Sequence, residues 1–479
     1  MISNSIDEKK IKDAFAKIEQ EQIFRFWDEL NQTEKTFFLQ QLETVDPFEC
    51  QLAWQEINFS HTKDFNPQTP KAKNAKNPLD PELSSMHEKG EEMLASGKVA
   101  AFTVAGGQGT RLGHNGPKGT YPCTPLAKHS LFQHFAESLS FFAKRYGVSP
   151  RWFIMTSLEN HSQTKLFFKK HEFFGLDRNR VTFFQQGMMP AFDLDGKILL
   201  KEKNQLEMSP NGHGGSLKAL TDSGSIDLME EEGIECISYF QVDNPLVYCI
   251  DPTFLGFHHI MGSEMSSKAV QKLSSNERVG TFVQNGESLQ VIEYSDIPKD
   301  ISNQKKKDGT LRFGLGSIAI HLLDRNFVRR ITCSEEVNGS RLKYHGAHKK
   351  VPYLNDNGLL VQPESPNAIK AETFVFDALP LARNPLLMEI NREEEFAPIK
   401  NPTGEDSLVS SEKLQISRNQ RWLQITGGGH EFTDVEISPL FAPTLPYFSE
   451  RTSKPFLNPK KSPPKPVLIQ RDGTVLHLI

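Results

Sequence analysis

The sequence contains few cysteines, and they are widely scattered. Its 5 cysteines form no CxxC pair and have no histidine at the spacing of a zinc site. This pattern excludes a structural zinc cluster of that kind and favours a reducing compartment. Tryptophan and tyrosine are also scarce, with 4 and 8 copies against 34 phenylalanines. We therefore expect the aromatic residues to pack a core rather than to line a stacking surface.

The sequence also lacks a strong net charge and a long apolar run. Its formal net charge is -5, with lysines and arginines spread along the chain, whereas nucleic acid binding needs a basic face. No apolar run approaches the roughly 18 residues of a membrane span. The first residues, MISNSIDEKKIKDAF, lack the apolar core of a secretory signal. The sequence predicts a cytoplasmic protein that binds small molecules, with no nucleic acid and no membrane as partner.

The length and the changes in composition predict two or three domains. Helical periodicity fills the first 60 residues, where Asn31 and Glu34 form a capping-box pattern. A polar, proline-rich stretch over 62–83 indicates a connector, and the last 75 or so residues are proline-rich with short β-like pieces. We predict a helical region with its connector over 1–80, a central domain over 81–400 and a small β-containing domain over 401–479.

Short apolar runs alternate with helical patterns through the central region. Buried strands are predicted at KVAAFTVAGG, RWFIMTS, VTFFQQG and CISYFQVDN. Such alternation is typical of an α/β fold with a parallel sheet covered by helices. Ligands of these folds bind at the carboxyl ends of the strands. We therefore expect the glycine loop after the first run, the QQG and the VDN to lie at one edge of one sheet.

The loop from Ala105 to Gly119, AGGQGTRLGHNGPKG, combines glycines with two cations. Its spacing fits neither the GxGxxG of a dinucleotide loop nor the GxxxxGK[ST] of a Walker loop. A glycine turn after a strand lets backbone N–H groups approach phosphate oxygens. Arg111 and Lys118 would add fixed positive charge, which suits a polyphosphate whose charge grows as it leaves. A glycine-rich surface linker is the alternative interpretation.

Several ordered stretches together resemble one enzyme family. They are GGQGTRLGHNGPKG, FFQQGMMPAFDLDGKILL, SPNGHGGSLKAL, YFQVDNPLVYCIDPTFLGF, VIEYSDIP, SPNAIKAETFVFD and REEEFAPIKN, within a likeness that covers roughly residues 20–440. They are similar to the uridylyltransferases that make UDP-sugars from UTP and a sugar 1-phosphate, above all to the UDP-N-acetylhexosamine pyrophosphorylase branch. The resemblance implies a Rossmann-like, GT-A-like nucleotidyltransferase domain with a mixed, mostly parallel sheet, and Mg2+ as cofactor.

The same resemblance implies a UTP site. Its members would be Val104, Ala105, Gly106, Gly107, Lys118, Gln186, Gly212, Asp243 and Lys370. Asp243 ends a predicted strand, and the resemblance makes it the metal ligand, since Mg2+ takes one or two carboxylates together with phosphate oxygens. A strand-end Asp-Asn turn is its alternative interpretation. Gln186 offers the donor and the acceptor that a uracil edge requires, although a lone glutamine is usually a surface residue.

The residues of the implied sugar site depart from the pattern of the family that the sequence resembles. The resemblance implies sugar contacts for His213, Glu293, Tyr294, Ser317 and Lys400, and catalytic roles for Arg111, Lys118 and Lys400. His213 stands where the N-acetylhexosamine branch usually has asparagine and where the UDP-glucose branch has a similar Gly-His-Gly. Gly314 and Ser317 also occupy asparagine positions. A turn histidine and a solvated charged turn are the alternative interpretations of His213 and Lys400.

Two anionic substrates would meet in such an enzyme, and lysines on both phosphates would offset their repulsion. We therefore predict a uridylyltransferase that forms a UDP-sugar and pyrophosphate from UTP and N-acetylglucosamine 1-phosphate. A UDP-glucose or broad-specificity pyrophosphorylase is the nearest alternative. A non-catalytic nucleotide-sugar-binding protein on the same scaffold is a further one.

Overall fold

A computed structural model describes residues 7–58, 66–333, 341–427, 432–452 and 466–477. Residues 62–65 of the predicted connector and 453–465 of the proline-rich C-terminal stretch lie outside these ranges. The chain divides into two compact units. The first unit comprises Met1–Phe65, Gln186–Lys218 and Arg341–Asp377, and the second comprises Asn66–Gln185, Ala219–Ser340 and Ala378–Ile479. The predicted boundaries at 80 and 400 stay a prediction.

The helices follow the local signals in the sequence. Within the described ranges they are α1 Glu8–Ala16, α2 Gln32–Glu43, α3 Pro47–Asn58, α4 Ser84–Ala95, α5 Leu131–Tyr146, α6 His161–Lys170, α7 Gly215–Asp222, α8 Ser225–Glu231, α9 Pro252–Ile260, α10 Lys299–Ser302, α11 Arg325–Cys333, α12 Arg392–Glu395, α13 Leu408–Ile425 and α14 Leu445–Arg451. Asn31 and Glu34 complete the predicted capping box of α2. None of these helices has both the length and the apolar character that crossing a membrane requires.

The strands include all four predicted ones. In the described part of the chain they are β1 Lys73–Ala75, β2 Val99–Val104, β3 Arg151–Thr156, β4 Val181–Gln185, β5 Met188–Pro190, β6 Phe192–Asp193, β7 Leu200–Glu202, β8 Gln205–Leu206, β9 Met208–Pro210, β10 Cys236–Gln241, β11 Met265–Gln271, β12 Thr281–Asn285, β13 Ser288–Ile292, β14 Leu315–Asp324, β15 Tyr344–Lys349, β16 Tyr353–Leu354, β17 Leu360–Val361, β18 Ala368–Thr373, β19 Leu386–Ile390, β20 Val435–Ile437, β21 Val467–Ile469 and β22 Val475–His477. Strand β1 lies inside the predicted connector, where the sequence KNA carries no apolar alternation to announce it.

The second unit is built on a mixed, mostly parallel sheet, as predicted. Its order is β1-β19-β11-β14-β10-β2-β3-β4, and the β12–β13 hairpin joins it beside β14. Strand β14 runs antiparallel to its neighbours β10 and β11, while the other pairs on this path are parallel. The carboxyl ends of β2, β10, β11 and β19 and the amino end of β14 therefore meet at one edge. Ligand sites of α/β sheets form at this edge.

Phenylalanines pack the core of the second unit, as the composition predicted. Phe132 on α5, Trp152 on β3 and Phe168 on α6 are each fully buried. The rings of Trp152 and Phe168 have centroids 5.4 Å apart, and those of Phe132 and Phe168 lie 5.0 Å apart. Side chains of this kind dominate the burial energy of a core. This packing fixes the helices against the sheet that carries the site.

Two glycines let α4 and α9 touch backbone to backbone. A Cβ added to Gly90 would lie 1.8 Å from the carbonyl oxygen of Pro252, and one added to Gly256 would lie 1.7 Å from that of Met86. Both distances are far below van der Waals contact. The close packing of this helix pair therefore requires glycine at these two positions.

The first unit has its own core and small sheets. Helices α1 to α3 bury an apolar cluster that includes Phe15, Phe38 and Leu42 against Phe192 and Leu200. Strand β18 lies between β15 and β6 in a three-stranded antiparallel sheet. The predicted UTP residue Lys370 lies on this central strand.

Candidate active site

The glycine loop begins directly where β2 ends, at the functional edge of the main sheet. The backbone N–H of Lys118 donates to the Gly107 carbonyl at 3.1 Å, which closes the loop on itself. The fully buried Asn160 anchors the start of the loop, because its Nδ2 donates to the carbonyls of Ala105 at 2.9 Å and Gly107 at 3.2 Å. Asn160 was not predicted as a site residue, because it lies outside the loop and belongs to no motif.

The middle of the loop is braced by its own hydrogen bonds. The N–H of Gly109 donates to the Gly116 carbonyl at 2.9 Å, and Gly116 has a φ of +153° that favours glycine. The His114 ring pairs through Nε2 with the Thr120 hydroxyl at 2.7 Å. Arg111 is exposed on a single 3-10 turn. Its predicted contact with a leaving pyrophosphate stays a prediction.

Lys118 and Asp243 are brought together at the edge of the sheet. The Lys118 Nζ lies 3.4 Å from Asp243 Oδ2, and each side chain is 14% exposed. Burial acts to raise the pKa of the Asp243 carboxyl, but the charges of Lys118 and Lys400 outweigh it, so this pKa lies below its ordinary value. The three residues predicted from separate motifs thus form one electrostatic group.

The neighbouring Asn244 connects Asp243, through hydrogen bonds, to the segment that carries Lys400. Asn244 is buried, its Nδ2 donates to the Glu395 carbonyl at 2.6 Å, and its Oδ1 accepts from the Ala397 N–H at 3.0 Å. One step further, the N–H of Ile399 donates to the Asp243 carbonyl at 2.8 Å. These bonds hold Lys400 in the neighbourhood of the carboxylate. Asn244 belongs to the VDN stretch but was not itself predicted as a site residue.

The acidic residues near Asp243 determine how the predicted Mg2+ could be bound. No group of three or more His, Cys, Asp or Glu side chains that could hold an ion occurs in the part of the chain that the structure describes. Mg2+ at phosphate-transfer sites usually takes one or two carboxylates and fills its other positions with water and phosphate oxygens. An ionised, partly buried Asp243 fits that mode of binding, in which the nucleotide brings most of the ligands.

The predicted sugar residues of the second unit flank Gly280. The N–H of Ser317 donates to the Gly280 carbonyl at 2.8 Å, and a Cβ on Gly280 would lie 3.5 Å from Oε2 of Glu293. Glu293 follows β13, and Tyr294 beside it is 45% exposed. The structure therefore brings Ser317 and Glu293 to the same place from different strands.

A lysine that sequence analysis missed lies in the same neighbourhood. Lys272 directly follows β11, is 8% exposed, and donates from Nζ to the Thr281 hydroxyl at 3.0 Å. Burial lowers its pKa, while the charges of Glu277 and Glu293 act in the opposite direction. Lys272 thus adds a buried positive charge beside the predicted sugar carboxylate Glu293.

The first unit brings together the predicted uracil residues. Nε2 of Gln186 donates to the Gly212 carbonyl at 2.8 Å. Gly212 has a φ of +81°, and a Cβ there would lie 2.4 Å from the Thr373 carbonyl oxygen. Glycine is therefore required at this turn. Thr373 ends β18, the strand that carries Lys370, so these predicted UTP residues share one part of the first unit.

The ring of His213 is fixed on both its edge and its face. Its Nδ1 accepts from the Val375 N–H at 3.2 Å, which assigns the proton of the neutral ring to Nε2. The ring stacks on Phe374 at a centroid distance of 5.3 Å, and Phe376 meets it edge-on at 5.7 Å. Burial lowers the His213 pKa to about 4, with a smaller contribution from His345. His213 is therefore a neutral Nε2–H donor at physiological pH.

Comparison with known proteins shows the family of this chain. A family model described as UTP--glucose-1-phosphate uridylyltransferase matches residues 50–433. The chain is 36% identical over 442 residues to the Xenopus tropicalis UDP-N-acetylhexosamine pyrophosphorylase-like protein 1, a match that covers 88% of this chain and 85% of that protein. The chain belongs to the uridylyltransferase family.

One further relative is similar in sequence, and one solved structure is similar in fold. The chain is 34% identical over 438 residues to the Saccharomyces cerevisiae UDP-N-acetylglucosamine pyrophosphorylase, covering 87% of this chain and 91% of that protein. Its fold matches that of the uridine diphosphate N-acetylglucosamine pyrophosphorylase from Trypanosoma brucei with a TM-score of 0.80 at 23% identity, over 94% and 95% of the two chains. As a member of this family, the chain is a nucleotidyltransferase of the pyrophosphorylase class. The predicted family, fold class and enzyme class are confirmed.

Proposed function

We propose that the chain transfers the uridylyl group of UTP to N-acetylglucosamine 1-phosphate, giving UDP-N-acetylglucosamine and pyrophosphate. The observation that carries the proposal is the group formed by Lys118, Asp243 and Lys400 at the carboxyl edge of the main sheet. The yeast relative carries the name of this activity, which supports the choice of sugar.

In the proposed reaction a phosphate oxygen of the sugar 1-phosphate attacks the α-phosphorus of UTP in line. The new bond joins this oxygen to the α-phosphorus, and the bond from the α-phosphorus to the bridging oxygen breaks as pyrophosphate leaves. The attacking oxygen is already ionised at neutral pH, so no strong general base is required. Catalysis therefore consists mainly of positioning and charge neutralisation.

Each cation has a proposed partner in this reaction. Lys400 would bind the sugar phosphate and reduce its repulsion from the α-phosphate. Lys118 and Arg111 would bind the β- and γ-phosphates and stabilise the charge that grows on the leaving pyrophosphate. The backbone from Val104 to Gly107, which carries the first two glycines of the loop, would contact the triphosphate.

Asp243 is the proposed protein ligand for Mg2+. When bound, the ion would neutralise phosphate charge and draw electron density from the α-phosphorus. The chain's own part is to keep the carboxylate ionised, and the charges of Lys118 and Lys400 support this state.

The first unit supplies the proposed uracil and nucleotide contacts. With Nε2 of Gln186 bonded to Gly212, its Oε1 is the proposed acceptor for the uracil N3–H. The Gly212 backbone would contact the same base edge, and Lys370 would contact the nucleotide phosphate.

The sugar contacts proposed are His213, Glu293, Tyr294 and Ser317. A carboxylate such as Glu293 can accept from two sugar hydroxyls, and His213 would donate from Nε2. The Gly-His-Gly turn favours a second candidate function, in which glucose 1-phosphate is the accepted sugar. The asparagine-to-serine change at Ser317 favours the same alternative.

We also propose a cytoplasmic location. The described cysteines are free thiols, and four of them are buried. Unpaired thiols fit a reducing compartment.

The deciding experiment measures pyrophosphate release in the presence of Mg2+ from UTP, and from each other nucleoside triphosphate, with the 1-phosphates of four sugars: N-acetylglucosamine, N-acetylgalactosamine, glucose and galactose. The proposal expects the highest kcat/KM with N-acetylglucosamine 1-phosphate, and expects the other nucleoside triphosphates to be poor substrates. A preference for glucose 1-phosphate would transfer the conclusion to the second candidate. No release with any sugar, although UTP binds, would favour the binding-protein alternative.

A further inference from the structure

Three charged side chains meet in the interior of the second unit. Nζ of Lys268 lies 2.6 Å from Oδ2 of Asp251 and 2.5 Å from Oε1 of Glu395. Their side chains are 0%, 13% and 3% exposed, in the order Lys268, Asp251, Glu395. We name this group the buried triad. None of its members was predicted as a site residue, and none has a role in the proposed reaction.

Each member of the triad belongs to a different element. Lys268 lies on β11, at the point where its register with β14 shifts. Asp251 caps α9, since its Oδ1 accepts from the Thr253 N–H at 3.0 Å. Glu395 is the last residue of α12. The triad therefore joins a central strand, the start of a helix and the segment that leads to Lys400.

The segment that begins at Glu395 is bonded to Asp243 and Asn244, which lie shortly after the end of β10. The Glu395 carbonyl and the Ala397 N–H both bond to the side chain of Asn244. The Ile399 N–H bonds to the Asp243 carbonyl. Lys400 comes next. The buried triad thus fixes Glu395, the first residue of a short segment that ends at Lys400, a proposed catalytic lysine.

A buried ionic group is not in itself evidence of added stability. Taking an ion out of water costs several kcal/mol even after relaxation, and apolar side chains of similar volume often give equal or greater stability. The rings of Tyr248 and Phe254, with centroids 5.2 and 5.3 Å from Lys268 Nζ, enclose the charge further. The two ion pairs of Lys268 do, however, connect three elements that are far apart in the sequence.

We propose that Lys268 is a positioning residue that, through Glu395, fixes the segment 395–400 against Asp243 and so places Lys400 toward the sugar phosphate. Lys268 touches no substrate in this account. The role of Lys400 rests on the proposed function, but the ordering of the segment is a property of the chain itself and can be measured without substrate.

The test compares Lys268→Met and Lys268→Arg with a matched control in the same unit. The control is Arg151→Met, because Arg151 is also buried, at 7% exposure, and pairs with a glutamate, Glu232. Arg151 is the first residue of β3 and so lies at the amino end of the strand, away from the carboxyl edge that carries the candidate site. Hydrogen exchange of the full chain, followed by mass spectrometry, reports on the amides of 396–401. Steady-state kinetics report KM for N-acetylglucosamine 1-phosphate, KM for UTP, and kcat.

Lys268→Met should speed exchange of the 396–401 amides by about tenfold or more, because the segment loses its anchor. It should raise KM for the sugar phosphate, or lower kcat, by about tenfold, with little change in KM for UTP. Lys268→Arg should recover most of both effects. Arg151→Met should lower the melting temperature while leaving this segment's exchange and the kinetic pattern as in the parent chain.

Equal effects of Lys268→Met and Arg151→Met on the segment would overturn the inference, and so would unchanged exchange in Lys268→Met. If Lys268→Met does not fold, Glu395→Gln keeps the side-chain volume and is judged by the same two readouts. A parent chain that releases no pyrophosphate would contradict the proposed function, while the exchange results would still decide the positioning role.

Discussion

The Lys118 ammonium lies 3.4 Å from the Asp243 carboxylate although 125 positions separate them in the sequence. They meet because β2 and β10 are adjacent parallel strands, so the chain leaves both at the same edge of the sheet. Lys118 follows β2 by way of the glycine loop, and Asp243 follows β10 almost directly. A fixed cation and a fixed anion at this edge are charges set in place before a substrate arrives.

Replacing Lys118 with alanine should lower kcat by about 100-fold or more, the range found when one preorganised charge contact to a transition state is removed. The melting temperature should change little, because Asp243 keeps Lys400 as a neighbouring cation. Pyrophosphate release and thermal unfolding measure the two effects. The matched control is Lys413→Ala, an exposed lysine on α13. A kcat near that of the control would refute the assignment of Lys118.

Replacing Asp243 with asparagine tests the proposed metal ligand. The amide keeps the shape but removes the negative charge, so activity should fall and the Mg2+ concentration for half-maximal activity should rise. Titration of activity with Mg2+ after removal of metal by a chelator measures this change. Asp296→Asn, at an exposed position in the second unit, is the control. If both variants show the parent's Mg2+ dependence, Asp243 does not hold the ion.

Much of the fold could be predicted because its signals are local. Apolar runs ending in glycine or in a polar pair predicted β2, β3, β4 and β10, and the Asn31 capping box predicted the start of α2. Strand β1 was missed because its three residues pair with β19 at the edge of the sheet and carry no apolar pattern. Short edge strands are specified by their partners rather than by their own residues.

Candidate site residues could be predicted only where they belong to motifs, and their roles stay a prediction. Asn160, Asn244 and Lys272 act through distant partners, and their residue types alone give no signal. The buried triad also escaped prediction, because a lysine inside a strand and a glutamate in a charged run are typical of exposed positions. Only the sheet topology brings these side chains to one place. A three-dimensional site is thus better predicted in its loops than in the residues that support them.

Replacing His213 with asparagine should shift sugar preference more than UTP affinity. The Nε2–H donor of a ring fixed by Val375 and Phe374 would be exchanged for a shorter amide. We expect the ratio of kcat/KM for N-acetylglucosamine 1-phosphate to that for glucose 1-phosphate to rise by about tenfold, which corresponds to ~1.4 kcal/mol. KM for UTP should stay within about twofold.

Kinetics on the two sugar phosphates check this prediction. His345→Asn is the control, since His345 packs against the same Phe374 ring and pairs with Asp377. An unchanged ratio in His213→Asn, or an equal change in both variants, would make His213 a structural turn residue.

The same histidine should make the protein sensitive to acid. Burial lowers the His213 pKa to about 4, below the ordinary value, so between these two pH values the unfolded chain binds a proton that the folded ring does not. Stability should therefore fall as pH drops from about 6.5 toward 4. Protonation of Nδ1 would also break its bond with the Val375 N–H. The loss of melting temperature between pH 7 and pH 5 should be smaller in His213→Gln than in the parent chain, and unchanged in His348→Gln, whose ring is exposed.

Gly90 offers a test in which two physical effects have opposite signs. In a helix interior, alanine is favoured over glycine by about 1 kcal/mol from backbone entropy and helix propensity. Packing predicts the reverse, because the added Cβ would lie 1.8 Å from the Pro252 carbonyl oxygen and α4 would have to move away from α9. Overpacking of this kind costs about 1 to 3 kcal/mol, and more where backbone must shift.

Gly90→Ala should therefore lower the melting temperature, whereas Ser85→Ala on the exposed face of α4 should leave it equal or higher. Thermal unfolding of both variants decides the matter, since a stabilised Gly90→Ala would mean that the two helix backbones do not touch.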